Sequence, residues 1–185
     1  NIYSIKSSFD GSFAISVGTD KMVKIWDIRC RKYVDQMDGQ HFSEMNEICL
    51  NSHNYDMEDQ LTPSLRLKLQ QSSKPQGPSC VTGFASIGHV DGSVTIWDMS
   101  MRRCMSHKKF HSAEVRGVSY SADGRYVASA GFDKNIIIAD TLDLNNVTIV
   151  KALEHDDKVV SVRWHPLLPL LLSTSADKSA RIWSP

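Results

Sequence analysis

The chain has 185 residues, with 21 Lys plus Arg against 21 Asp plus Glu, so it is formally neutral and long enough to bury a core. That balance argues against a duplex nucleic-acid binder driven by phosphate neutralisation, which needs a basic surplus. The four cysteines (Cys30, Cys49, Cys80, Cys104) form no CxxC pair and show no Cys–His metal spacing, so no metal or cofactor is expected and the thiols read as free, as in a cytosolic or nuclear protein. The longest apolar run, Pro166 to Leu172, is broken by Pro169 and is shorter than the roughly 18–20 residues of a membrane helix. No signal peptide is visible, and a chain opening on Asn1 is expected to continue upstream.

In chain order, Asp10-Gly11 marks a turn before a strand running through Phe13 and Ser16. Asp20 opens a tight turn, the next strand ends in Ile25-Trp26-Asp27, and a polar strand follows from Lys32 to Asp35. His41-Phe42-Ser43-Glu44-Met45 then leads into a strand to Leu50. Between Asn51 and Gly83 lies a stretch with Pro63, Pro75 and Pro78, little periodicity, an acidic half (Asp56, Glu58, Asp59) and a basic half (Arg66, Lys68, Lys74). It exceeds the roughly 12–15 residues beyond which structureless loops are uncommon, so a disordered insertion is expected, with a docking or phosphorylation loop as the alternative and Leu65 to Leu69 as a candidate edge strand. Strands resume at Phe84 and close on Ile96-Trp97-Asp98.

His111 opens the third unit: a strand Val115 to Tyr120, a turn Ser121 to Gly124, a small apolar strand Tyr126 to Ala130, the Asp133 turn, and an outer strand from Val147 to Val150. His155 opens the fourth, with strands Val159 to Trp164 and Leu170 to Thr174, then Asp177 and Trp183. The four aspartates stand 71, 42 and 44 residues apart. Each has an isoleucine five residues on (Ile25, Ile96, Ile138, Ile182), and three have Trp six residues on. The other has Ala139 there. A period in the low forties with a Trp-Asp-like close marks four-stranded propeller blades. The fold expected is all-β: a partial propeller of about four antiparallel blades, with repeats near 1–37, 38–107, 108–151 and 152–185 and the excess residues falling within 51–83.

His111 and His155 each precede their Asp by 22 residues, and Ser129 and Ser173 each precede it by four, as Ser16 precedes Asp20. Ser, His and Asp together invite a hydrolase reading, because a nucleophile needs a base and the base an orienting acid. Repetition argues otherwise: one chain needs one triad, whereas every blade needs its own fastener. The expected lock places His and Asp at the same edge of a blade, the Asp accepting from the imidazole and the Ser bridging imidazole to indole N–H. Its members are His155, Ser173, Asp177 and Trp183; His111, Ser129 and Asp133; Ser16, Asp20 and Trp26; and His41, Asp91 and Trp97. Two blades depart from the pattern. Ala139 removes one indole bridge, and Ile87 stands where the second serine belongs, so those blades are expected to be held less tightly.

These histidines, the repeating aspartates and Ile-Trp-Asp at 25–27 and 96–98 resemble the WD-repeat propeller family over the whole chain outside 51–83. The resemblance implies a ring of about seven blades, further blades upstream, and an outer strand of the last blade supplied from there. The stretch Glu154 to Val159, with Arg163 to His165 and Ser173 to Asp177, is also similar to the C-terminal propeller of a neuronal, microtubule-associated member with LisH and CTLH segments. The expected location is the cytoplasm, including its cytoskeleton, with the nucleus as the alternative, and family likeness implies a non-catalytic platform for other proteins. Its loop face would present Glu44, Arg116, Phe132, Lys134, Asp157 and Lys178, with Thr19 and Lys21. A ribonucleoprotein alternative would use Lys21, Arg29, Arg31 and Lys32, or Arg102, Arg103, Lys108 and Lys109, clustered on one rim.

Overall fold

The computed structural model describes residues 1–8, 11–51 and 83–184. Asp10, Cys80 and nearly all of the 51–83 stretch, including the candidate edge strand at Leu65 to Leu69 and the expected disorder, lie outside them. Fifteen strands form four antiparallel meanders among the described residues. The first sheet is β1 (Ile2–Ser7), β2 (Phe13–Gly18), β3 (Met22–Asp27) and β4 (Lys32–Asp38). The second is β5 (Met45–Leu50), β6 (Phe84–His89), β7 (Ser93–Asp98) and β8 (Arg103–Lys109). The third is β9 (Val115–Tyr120), β10 (Tyr126–Gly131), β11 (Asn135–Asp140) and β12 (Thr148–Glu154). The fourth has three strands, β13 (Val159–Trp164), β14 (Leu171–Ser175) and β15 (Ala180–Trp183).

First strands of consecutive sheets lie side by side, β1 on β5, β5 on β9 and β9 on β13, so the sheets fan out from a common axis. Both faces of an interior sheet are therefore buried. This is why β7 and β11 read as near-continuous apolar or small runs while the outer strands β4 and β12 are almost wholly exposed. Ile15, Ile25, Met45, Ile48, Ile87 and Trp97 pack between the first and second sheets. Ala128, Ile136, Ile138, Val159, Val162 and Leu171 pack between the third and fourth. The two end faces remain open, leaving Ile2 and Ile5 of β1 and Ile182 of β15 largely exposed.

Two irregularities recur in register. Each first strand carries one extra residue near its start: Tyr3, Asn46, Arg116 and Val160. Each fourth strand carries one opposite the step from the repeating Ile to the next residue (Trp26, Trp97 or Ala139): Val34, Met105 and Val150. Such bulges re-aim side chains. The Asn46 amide accordingly donates to Val115 O across the gap between sheets, at 3.1 Å. Across the next gap, the Trp164 amide donates to Ser119 Oγ at 3.0 Å.

Candidate functional site

The turn between second and third strands opens at the same end of each sheet as the segment leading into the first strand, which brings the repeating Asp to the His. In the fourth sheet His155 is buried. Its Nδ1 lies 2.8 Å from Asp177 Oδ2 and its Nε2 2.7 Å from Ser173 Oγ, which also accepts from Trp183 Nε1 at 2.8 Å. One assignment satisfies every group: Nδ1–H donates to the carboxylate, the serine hydroxyl donates to Nε2, and the indole donates to the serine oxygen. Asp177 is held well below the ordinary carboxylate range. The Ser179 hydroxyl is the main cause, joined by His155 and by the amides of Ser179 and Asp156 against the opposing effect of burial.

The third sheet repeats this with His111 Nδ1 at 2.9 Å from Asp133 Oδ1 and Nε2 at 2.8 Å from Ser129 Oγ. Ala139 offers no indole, and Ser129 Oγ instead lies 3.4 Å from Ile137 O. Burial pushes Asp133 up, but the His111 bond and the amides of Ser112 and Asn135 outweigh it and hold the carboxyl low. In the first sheet Trp26 Nε1 donates to Ser16 Oγ at 2.9 Å, while Asp20 binds Lys24.

The second sheet corrects the expectation. His41 is exposed and makes no hydrogen bond to Asp91. The buried imidazole is His89, whose Nδ1 lies 3.1 Å from Ser43 O and whose Nε2 lies 2.8 Å from Thr95 Oγ1; that hydroxyl accepts from Trp97 Nε1 at 2.9 Å. Because Ser43 O can only accept, Nδ1 carries the proton and Nε2 accepts from Thr95. Asp91 instead takes the amide and hydroxyl of Ser93, at 3.0 and 2.6 Å.

The physical reason is a pair of compensating changes. In the third sheet the residue two before the Asp is Gly131, and a methyl group there would collide with the Asp133 carboxylate and the His111 ring. In the second sheet that position is His89; His41 stays exposed, and His89 itself supplies the buried imidazole. Phe42 packs beside it, its ring centroid 5.8 Å from those of His89 and Trp97. The hydroxyl has crossed to the neighbouring strand. Ile87 pairs with Thr95, where Ser129 pairs with Ile137, so hydroxyl and isoleucine have traded places at one level of the sheet. The second sheet is therefore fully fastened, contrary to the looser hold expected from Ile87. His89 and Thr95 were the residues missed; a bulky polar residue in the Gly131 position and a hydroxyl opposite Ile87 were the signals.

The expected loop-face residues do emerge at this end. Lys21, Lys134 and Lys178, each just after its Asp, hold φ of 60°, 73° and 67°, while the second sheet has Gly92 there at 89°. Gly92 is required, since a side chain at that φ would also drive into His111 O. Phe132 is half-buried, with Arg116 Cζ 5.2 Å and Lys158 Nζ 5.1 Å from its ring centre, so one aromatic spans the third and fourth sheets between two cations. Arg116 also pairs with Glu114 at 3.3 Å, and Lys134 Nζ donates to Asp156 O at 3.0 Å. Glu44 is half-buried and Asp157 exposed.

The basic residues do not share a rim. Lys108 and Lys109 pair with Val94 and Ser93 beside the Asp91 turn, whereas Arg103 pairs with Asp98, and Lys32 with Asp27, at the opposite end of their sheets. Arg102 is further engaged by Asp35 at 3.0 Å. No group of His, Cys, Asp or Glu among the described residues is arranged to hold a metal ion.

Four face-packed antiparallel meanders fanned about an axis, with a polar relay at one edge, define a segment of a β-propeller. The WD domain, G-beta repeat family profile matches residues 1–27, 102–140 and 147–184, more than half of the chain, and the chain belongs to that family. It is similar to Actin-interacting protein 1 of Drosophila melanogaster, 31% identical over 97 residues, which cover 52% of this chain and 16% of that protein. It is also similar to Nuclear distribution protein nudF 2 of Penicillium rubens, 23% identical over 88% of this chain and 33% of that protein. With Nuclear distribution protein PAC1 of Arthroderma otae, identity is 24% over 85% of this chain and 32% of that protein. The chain thus spans between about a sixth and a third of the length of these relatives.

Proposed function

We propose that the chain is part of a non-catalytic protein-interaction platform that engages an acidic partner segment through the loop face, centred on Phe132. The observation that carries this reading is the Arg116–Phe132–Lys158 stack, a desolvatable aromatic anchor with two cations straddling adjacent sheets. The relays His111–Asp133 and His155–Asp177 act as fasteners. They hold the flanking turns in place, so the face is preorganised before a partner arrives.

A catalytic role for Ser173, His155 and Asp177 has little support, although their bonding order matches a triad. Ser173 is only 1% exposed and its oxygen already accepts the Trp183 indole, leaving no approach for a substrate carbonyl. The RNA reading is weakened by the division of the basic residues between two ends of the sheets.

Relatives named for actin interaction and nuclear distribution, together with the resemblance to a microtubule-associated member, make the proposed partners cytoplasmic and cytoskeletal. Cosedimentation with actin filaments and with microtubules tests this. The chain should pellet with one polymer, and Phe132→Ala or Arg116→Glu should release it while leaving the melting temperature within a degree or two. Failure to pellet with either polymer would remove the cytoskeletal assignment, and unchanged pelleting of both variants would remove the face.

A further inference from the structure

The exchange of residues in the second sheet releases a carboxylate onto the loop face. In the third and fourth sheets the repeating aspartate is enclosed against its histidine, the side chains of Asp133 and Asp177 each being 8% exposed. In the second sheet His89 bonds Ser43 O and Thr95, so Asp91 binds no imidazole. Asp91 is exposed, and its hydrogen bonds run to neutral groups: the amide and hydroxyl of Ser93, and Ser43 Oγ, which accepts from the Asp91 amide at 3.3 Å. Half-buried Glu44 adjoins it, its carbonyl accepting the Val90 amide at 3.0 Å. Neither carboxylate forms an ion pair among the described residues, although Lys108 and Lys109 stand beside this turn on β8.

This carboxylate shares one ledge with Phe132. The Asp turn of each sheet is bonded to the lead-in of the next: His111 N donates to Gly92 O at 3.0 Å, and His155 N to Lys134 O at 2.9 Å. Phe132 N donates to Glu114 O at 2.8 Å, so the Asp91 turn, the 111–114 segment and Phe132 follow one another round the arc. With packed sheets about 10 Å apart, Asp91 and the Phe132 stack are separated by about 10–15 Å, the span of roughly three to five residues of extended chain.

The two ends of that arc differ in sign. Around Phe132, Glu114 is paired with Arg116, Asp156 and Asp177 with Arg181, and Asp157 accepts the Lys158 amide. Lys134, Lys158 and Lys178 meet no carboxylate there among the described residues. At Asp91 the uncompensated charge is negative.

We infer that the partner segment engaging this face is bipolar: an acid meets the Arg116–Phe132–Lys158 stack, and a Lys or Arg roughly three to five residues away pairs with Asp91. The inference rests on the loop-face reading and adds to it a second contact at a set spacing. Asp91 thereby selects among acidic segments, favouring those with a positioned cation and repelling uniformly acidic ones.

Synthetic peptides titrated into the ¹⁵N-labelled chain test it, read by the amide shifts of Phe132 and Asp91. One peptide carries paired glutamates with a lysine four residues to each side. A second, of the same composition, has both lysines directly beside the glutamates, and a third has glutamates in place of the lysines. The first should shift both amides and bind about threefold or more tighter than the second, as for an exposed ion pair. Asp91→Asn keeps an acceptor for Ser93 and should erase that advantage, and Asp91→Lys should place the third peptide first. Shifts at Phe132 with equal affinity for the first two peptides, or an order untouched by Asp91→Asn, would overturn this inference and leave the face standing. Absence of any shift at Phe132 with all three peptides would remove the face and this inference together.

Discussion

The second and fourth sheets perform the same task with different residues. In the fourth, the imidazole of His155 enters from the loop before the first strand, the hydroxyl of Ser173 sits on the second strand, and Asp177 closes the chain. In the second, the imidazole of His89 stands on the second strand itself, the hydroxyl of Thr95 sits on the third, and a carbonyl replaces the carboxylate. What persists is the sequence of groups in space: acceptor, imidazole, hydroxyl, indole. A buried hydrogen-bond chain constrains positions of atoms, and two strands at one level of a sheet offer alternative anchors for the same atom.

The largest effect that sharpens this contrast is Trp97→Ala, because Trp97 is 2% exposed and ends the second relay while packing against Phe42. Chemical denaturation should show a loss of about 3–5 kcal/mol. Trp183, half-buried at an open face, should lose less on the same change. Next comes the hydroxyl. Thr95→Val strands His89 Nε2 and Trp97 Nε1 in a dry interior, at about 1–3 kcal/mol for each buried group left unpaired. Ser173→Ala should cost less, since water reaches Trp183; equal losses would show that the two relays are not distinguished by burial.

Acid should separate the sheets as well. Burial holds the folded His89 pKa below 6.5, against the weaker pull of Ser43 O. As pH falls below about 6.5 the unfolded chain takes up a proton that the folded ring refuses, so stability declines until the folded value is passed. Asp133 and Asp177 act the other way in origin. Their folded values are depressed, so their contribution is complete above about pH 4 and is lost as pH falls through those lower values. Melting temperature against pH should therefore drop in two stages, and His89→Asn should remove the first. The smallest effect is His41→Ala, expected within about 0.5 kcal/mol of the parent by denaturation, as for an exposed residue; a loss like that of a buried histidine would restore His41 to the relay.

The spacing of Asp20, Asp91, Asp133 and Asp177 made the four-sheet architecture legible, because strand lengths and turn positions are tied to chain distance. The His111 and His155 groups were legible for the same reason. The second relay was not, because its substitutions conserve position in three dimensions and break it along the chain. Reading it needed the pairing of Ile87 with Thr95, which is a property of register, and the clash that keeps Gly131 small, which is a property of packing. The Arg116–Phe132–Lys158 stack was half legible: the aromatic turn residue stood out, but Lys158 reaches it only because the fourth sheet packs against the third.

Histidine nitrogen shifts in a ¹⁵N-labelled sample test the claim that the second, third and fourth sheets are each held through one buried imidazole bonded at both nitrogens. His89, His111 and His155 should each show Nδ1–H bonded to its acceptor and Nε2 bonded to a hydroxyl, with the His89 ring titrating below 6.5 and His41 showing no bonded partner. An ordered His41 ring bonded to Asp91, or a protonated His89 at neutral pH, would contradict it.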